Sequence, residues 1–258
     1  MDWIFSDIHG CIHTLSSLVR KVTVIDKNPK LVFVGDYVDR GLHSSQVLDY
    51  LLMLKTQYEC TFLRGNHDDI VSYLLGGKCY TDMNETTNNS DPYNVFVWWL
   101  QNGLYSCLTS YGIQLEKESD PLNTFRNRVS DAHKQFLDSL DLYWSNDSHF
   151  ACHAFYPPDL RLPKHFSNFV PKELQHLSLW GRFPSSVSGG INLPKPCEWD
   201  KIGVFGHTPT KIYQSPVPII QDKIRLIDAG GCFGGYITAY CCDKDDTILQ
   251  VLDPQDVD

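Results

Sequence analysis

Five times along the chain a short apolar run stops abruptly at Asp, Asn, His and Gly. The five places are Ser6-Asp7-Ile8-His9-Gly10, Gly35-Asp36-Tyr37-Val38-Asp39-Arg40-Gly41, Arg64-Gly65-Asn66-His67-Asp68, Cys152-His153 and Gly206-His207-Thr208. Short runs rich in β-branched and aromatic side chains, bounded by such residues, are strand signals. They predict strands over 2–6, 31–34, 60–63, 202–205, 223–227, 235–242 and 247–252. Helical spacing follows each of the first three, at 13–21, 44–55 and 68–75. Val47, Leu48, Leu51, Leu52 and Leu54 make the apolar face of the second, and Asp68 and Asp69 suit the N-terminus of the third. A β-α-β-α rhythm implies parallel strands with crossover helices, hence an α/β fold. Ligands in open α/β sheets collect outside the carboxyl ends of strands, so loops as far apart as residues 6 and 208 can converge.

Two stretches depart from the rhythm. From 76 to 112, a polar loop at 80–94 leads into Val95-Phe96-Val97-Trp98-Trp99-Leu100. This reads as a helical insertion capping one end of the sheet, with the tryptophans as its core. A further helix is expected over 130–140. From 155 to 199, Pro157, Pro158, Pro163, Pro171, Gly181, Pro184, Gly189, Gly190 and Pro194 mark a long loop region of the kind that often carries function. One domain spanning 1–258 with these two insertions is expected.

Lys and Arg number 22 against 31 Asp and Glu, a formal charge of −9, which disfavours nucleic-acid backbones and anionic lipid as partners. No apolar run is long enough to span a membrane. The 9 cysteines are scattered, odd in number and without a C-x-x-C, and the chain opens without a secretory signal; a reduced, cytoplasmic setting is expected. Neither the Cys-x5-Arg phosphate cradle nor a Walker P-loop occurs.

Taken together, the Asp-Ile-His-Gly, Gly-Asp-Tyr-Val-Asp-Arg-Gly, Arg-Gly-Asn-His, late His153 and Gly-His-Thr segments resemble the metallophosphoesterase superfamily. Within it the chain resembles the phosphoprotein phosphatase branch in its compact bacterial and phage form, which also contains the symmetrical dinucleoside tetraphosphatases. The stretches 99–103, 110–112, 179–182 and 227–231 extend the likeness over nearly the whole chain. Three departures stand out: Ser6 in place of Gly, Asp68 in place of Glu, and Ala154-Phe155 after His153. None removes a metal ligand; the last bears on substrate choice.

The resemblance implies a calcineurin-like fold, two mixed β-sheets packed face to face and flanked by helices, around a dinuclear metal centre that hydrolyses phosphate esters. By position it assigns Asp7, His9 and Asp36 to one divalent ion, and Asp36, Asn66, His153 and His207 to the other, with Asp36 as the bridge. Such a mixed carboxylate, amide and imidazole set suits Mn²⁺, the expected ion, or Fe or Zn²⁺, and argues against Ca²⁺. His67 is assigned as general acid, oriented by Asp39, while Arg40, Arg182 and Asn66 are assigned to the substrate phosphate. Arg64 stays open between a phosphate contact and a structural ion pair. The remaining histidines, His13, His43, His133, His149, His165 and His176, are read as solvated or locally hydrogen-bonded on helices or loops. The expected substrate is phosphoserine or phosphothreonine in a protein; the alternatives are a symmetrical dinucleoside tetraphosphate, another small phosphoester and, in a different class, an inactive metal-binding module.

Overall fold

Strand alternation decides how the layers of this molecule meet. The structure, a computed structural model, describes residues 1–87, 90–163, 171–193, 196–244 and 246–256; His165 and Pro194 lie outside them. The first half runs β1 (Asp2–Phe5), α1 (Ile12–Ile25), β2 (Lys30–Phe33), α2 (Ser44–Gln57), β3 (Glu59–Phe62) and α3 (Asn66–Leu74). Helices α4 (Met83–Thr87), α5 (Pro92–Trp99), α6 (Tyr105–Ser110), α7 (Pro121–Arg128) and α8 (Asp131–Asp138) follow. The second half contains β4 (Tyr143–Ser145), β5 (His149–Cys152), α9 (Lys172–Trp180), β6 (Ile202–Phe205), β7 (Ile219–Gln221), β8 (Ile224–Leu226), β9 (Ile237–Cys241) and β10 (Ile248–Val251).

The strands form two five-stranded mixed sheets, ordered β10-β9-β1-β2-β3 and β4-β5-β6-β8-β7. In the first, β1, β2 and β3 are parallel, with Ile4 opposite Val32 and Phe5 opposite Phe33. Successive side chains leave a strand on opposite faces. Ile4 and Val32 accordingly point into the layer between the sheets, where they meet Ala151 and Val204 of the second sheet. Trp3, Phe5, Leu31 and Phe33 point the other way, against Leu15, Leu18, Leu48 and Leu51 of α1 and α2. The rings of Phe5, Phe33 and Phe62 stack at 4.8 and 5.2 Å along that face. Phe150, Cys152 and Phe205 do the same on the far side of the second sheet, under Tyr156, Phe183 and Trp199. The face-to-face pair of mixed sheets that the resemblance implies is present.

Several elements differ from the sequence reading. Helix α9 interrupts the span read as continuous loop over 155–199: Pro171 sits at its N-cap position rather than breaking it, a tolerated place for proline. Helix α7 escaped notice because only Leu122 and Phe125 are buried along it; Asp120 caps it by accepting the Asn123 N–H at 3.1 Å. Strands β4 and β7 have three residues each and sit on sheet edges, too short for alternation to register. His149 is buried within β5, bonded to Ser148 and Tyr240, instead of lying on a helix or loop. Among the described residues no helix is long and apolar enough to cross a membrane.

Candidate metal and phosphate site

The loops after β1, β2, β3, β5 and β6 are stitched together by their own backbones. The N–H groups of Ile8 and His9 both bond Asp36 O, at 3.0 and 2.8 Å, and Gly206 N–H bonds His153 O at 2.8 Å. These loops carry five non-glycine residues in the left-handed region: His9 (φ 44°), Asp36 (53°), Asp39 (68°), Arg40 (67°) and His207 (64°). Each such residue costs about 1–3 kcal/mol, and this kind of strain collects where function over-determines the backbone. Two glycines make the close approach feasible. Gly35 has φ +107° and a Cβ there would lie 2.4 Å from Gly65 N, while a Cβ on Gly206 would lie 2.0 Å from Asp7 Oδ1. Asp68 binds the second and third loops together by accepting N–H bonds from Asp36 (2.7 Å), Tyr37 (2.9 Å) and Gly65 (2.9 Å). In the sequence it stood for a helix-terminal charge and for a departure from the Glu of the motif, not for a tie between two loops.

Around Asp36 the ligand-type side chains fall into two groups. His9, Asp36 and His67 form one and Asp36, His153 and His207 the other, each with ligand atoms within 4.8 Å of one another. The two Asp36 oxygens face different ways: Oδ2 lies 3.2 Å from His9 Nε2, and Oδ1 lies 3.5 Å from His153 Nε2. Backbone carbonyls fix two of the rings, since His9 Nδ1 meets Val38 O at 2.8 Å and His153 Nδ1 meets Val34 O at 3.0 Å. That leaves Nε2 of each to face the cluster. Asn66 Oδ1 lies 3.1 Å from His153 Nε2 and 3.0 Å from His207 Nδ1. Asp7 stands outside both groups. Its two oxygens accept the His207 N–H at 3.0 and 2.9 Å.

This donor set fits divalent cations. Asp7, Asp36, Asp39 and Asp228 are all buried, four carboxylates in one water-poor place. Burial, with Asp228 and Asp36 nearby, pushes the Asp7 carboxyl well above the usual range. Burial opposes ionisation of Asp36 too, yet His153, His67 and His9 hold it well below that range. Burial also lowers His153, to about 4, so its imidazole is neutral and available as a ligand at physiological pH. Among the described residues His207 Nε2 is buried without a hydrogen-bond partner. A cation supplies what an orphaned imidazole nitrogen and crowded carboxylates lack.

His67 and Asp39 form a dyad at the edge of the cluster. His67 Nδ1 lies 2.8 Å from Asp39 Oδ2, and Trp99 Nε1 donates to the same oxygen at 2.6 Å. Burial pushes Asp39 up to about 7 and His67 down to about 3, so the dyad holds one proton along its Nδ1···Oδ2 axis. Below about pH 7 it belongs to Asp39, the stronger base of the two, which leaves the proton of the neutral His67 on Nε2. The sequence reading took Trp99 as core of the cap. It is buried there, packed on Trp98 and Trp180, but its indole N–H also makes the cap part of the site. The same segment grips the next residue, because Arg40 N–H bonds Gly103 O at 3.0 Å.

Because the Trp99 bond favours the Asp39 carboxylate, Trp99→Phe should raise the Asp39 pKa. The alkaline limb of the kcat–pH profile, where the dyad loses the proton that His67 must deliver, is expected to move up by about one to two pH units. A lower melting temperature with an unmoved limb would make Trp99 packing alone.

The two arginines flank the cluster. Arg40 Nη1 lies 2.7 Å from His9 Nε2, and its guanidinium rests over the Phe233 ring at 5.1 Å. Arg182, directly after α9, donates to Thr208 Oγ1 at 3.0 Å, beside His207. Arg64 points away. It is buried, paired with Asp69 Oδ1 at 3.1 Å and bonded to Lys78 O and Leu137 O at 3.1 and 2.6 Å, which decides for the structural ion pair. Asp228 also went unread as a site residue. Its Oδ1 is fixed by the Gly230 N–H at 2.8 Å, and no motif spacing ties it to the others.

Comparison with known proteins agrees with this geometry. The family model described as Calcineurin-like phosphoesterase matches residues 3–210. The chain is 27% identical to the symmetrical bis(5'-nucleosyl)-tetraphosphatase of Legionella pneumophila, across 92% of each chain. It is 43% identical over 67 residues to the serine/threonine-protein phosphatase 4 catalytic subunit of Eremothecium gossypii, a stretch covering 25% of this chain and 21% of that one. A solved metallophosphoesterase from Sphaerobacter thermophilus superimposes with a TM-score of 0.51 at 14% identity, covering 97% of this chain and 87% of that one, a likeness of fold.

Proposed function

Because the chain belongs to the calcineurin-like phosphoesterase family, we propose that it is a two-metal phosphatase acting on phosphoserine or phosphothreonine in proteins. Asp36 joins the two ligand groups, with Asp7, His9, Asn66, His153 and His207 completing them, and Mn²⁺ is the ion assigned. When bound, such ions supply positive charge that activates water and neutralises the phosphoryl oxygens. The chain's own residues do the rest. Arg40 and Arg182 grip the phosphoryl group from two sides. Its Nδ1 committed to Asp39, His67 presents Nε2 to the leaving oxygen and delivers a proton there.

The observation that supports a protein substrate is the wall beside Arg40. Phe233, Ile212 and Tyr236 remain 63%, 55% and 41% exposed around a cleft of about 760 Å³ that Gly230 and Gly235 also line. An exposed apolar surface of this kind can receive the residues flanking a phosphoserine. A symmetrical dinucleoside tetraphosphate is the second reading, supported by the match to the Legionella enzyme across nearly all of both chains. A panel of phosphoserine and phosphothreonine peptides, diadenosine tetraphosphate and p-nitrophenyl phosphate, assayed with Mn²⁺, tests the choice. The highest kcat/KM is expected on a peptide. Preference for the tetraphosphate would move the assignment to the second reading, and no hydrolysis of any of them would remove the enzyme reading.

A further inference from the structure

Helix α1 has no cap of its own. Cys11 at its N-cap makes no side-chain cap bond, and its first turn holds no acidic residue. The far end of the chain provides one instead. Asp256, in the 3₁₀ turn Pro254–Asp256, accepts the Thr14 N–H through Oδ2 at 2.6 Å and the His13 N–H through Oδ1 at 3.3 Å. Asp253 N–H donates to Thr14 Oγ1 at 3.0 Å and secures the turn. Two histidines meet at this carboxylate. His13 stands in the first turn of α1, and His43 immediately precedes α2, its N–H held by Gly10 O at 3.1 Å. Their rings sit edge to face with centroids 5.4 Å apart. One ligand atom from each of His13, His43 and Asp256 lies within 4.8 Å of the other two, and all three residues are only half-buried.

We propose that His13, His43 and Asp256 form a third metal site, separate from the cluster around Asp36 and selective for Zn²⁺. Two imidazoles and one carboxylate are a donor set for tetrahedral zinc, with the fourth position left to water. Nitrogen donors turn the site away from Ca²⁺ and Mg²⁺, which prefer oxygen. A carboxylate has about four lone-pair directions, so capping the helix leaves Asp256 able to bind an ion. The donors must draw together by rotation of the two half-exposed rings, since bonds of about 2.0–2.2 Å bring tetrahedral ligands closer than 4.8 Å. The backbone need not move. The bound ion clamps the C-terminal turn to the start of α1 and α2, the two helices that follow the His9 and Arg40 loops.

Metal counting tests this. Chelator-stripped full-length protein, dialysed against micromolar Zn²⁺, is expected to hold one more ion per chain than the His13→Ala/His43→Ala variant. Asp256→Asn separates ligation from most of the capping, because the amide oxygen can still accept the Thr14 N–H while only the longer bond from the His13 N–H and the charge are given up. It should change the metal-free melting temperature little while weakening the third ion at least about tenfold. Equal ion counts in wild type and the double variant, or an unchanged affinity in Asp256→Asn, would overturn the proposal.

Discussion

Asp36→Asn is expected to deprive one half of the metal centre of a ligand and the other of that ligand's charge, and to lower turnover by about a thousand-fold or more. The reason lies in how one carboxylate is shared. Oδ2 faces His9 Nε2, whereas Oδ1 faces His153 Nε2 and also accepts the His67 N–H at 3.0 Å. The variant's amide must keep its oxygen toward that backbone N–H, so its NH₂ turns toward His9. The His9 half then loses a lone pair and gains donors pointed at a cation, while the His153 half keeps an oxygen without its charge. Elemental analysis of the purified variant should find the His9-side ion missing and the other weakened. Two ions per chain with normal turnover would remove Asp36 as the bridge.

His67→Asn is expected to separate proton delivery from metal binding. With Nδ1 committed to Asp39, His67 has a single nitrogen to offer the site. The variant should lower kcat on an alkyl phosphate, whose leaving oxygen needs a proton, by about a hundred- to ten-thousand-fold. The loss should be much smaller on p-nitrophenyl phosphate, whose leaving group departs without one. Metal content discriminates further, because His67 also falls within reach of His9 and Asp36. Two ions retained with a leaving-group-dependent loss fit the acid; one ion lost with equal losses on both substrates would make His67 a ligand.

The contrast between Asp36 and Trp99 shows what kind of information a linear chain carries. Asp36 was legible because its neighbours announce it. An apolar run, a glycine and a carboxylate in sequence already say that a strand ends in a tight turn with a metal-type ligand exposed. Trp99 occupies an apolar helical run in which nothing local distinguishes a core indole from one whose N–H reaches across the fold. Its partner Asp39 is 60 residues away, and the bond exists only because α5 packs against the loop after β2. Asp228 was opaque for a related reason, since it sits among buried charges and is fixed by a backbone N–H, which leaves no spacing pattern; the bonds by which Asp68 ties two loops together are equally silent in the chain, although its place in a motif was not. His13, His43 and Asp256 are a further case, a cluster assembled from both ends of the chain.

By itself the sequence determined the α/β rhythm, the five loops that carry ligand-type side chains, their order and the chemistry of those side chains, because strand alternation and turn residues act over a few positions. Only the tertiary structure decided which oxygen of Asp36 faces which histidine. It turned Arg64 inward to Asp69 while Arg40 and Arg182 stayed at the rim, and it brought Trp99 to the His67–Asp39 pair. Those outcomes depend on the packing of two sheets and on burial, which sets the charge states of Asp7, Asp39 and His67 through the joint exclusion of water by residues far apart in the chain.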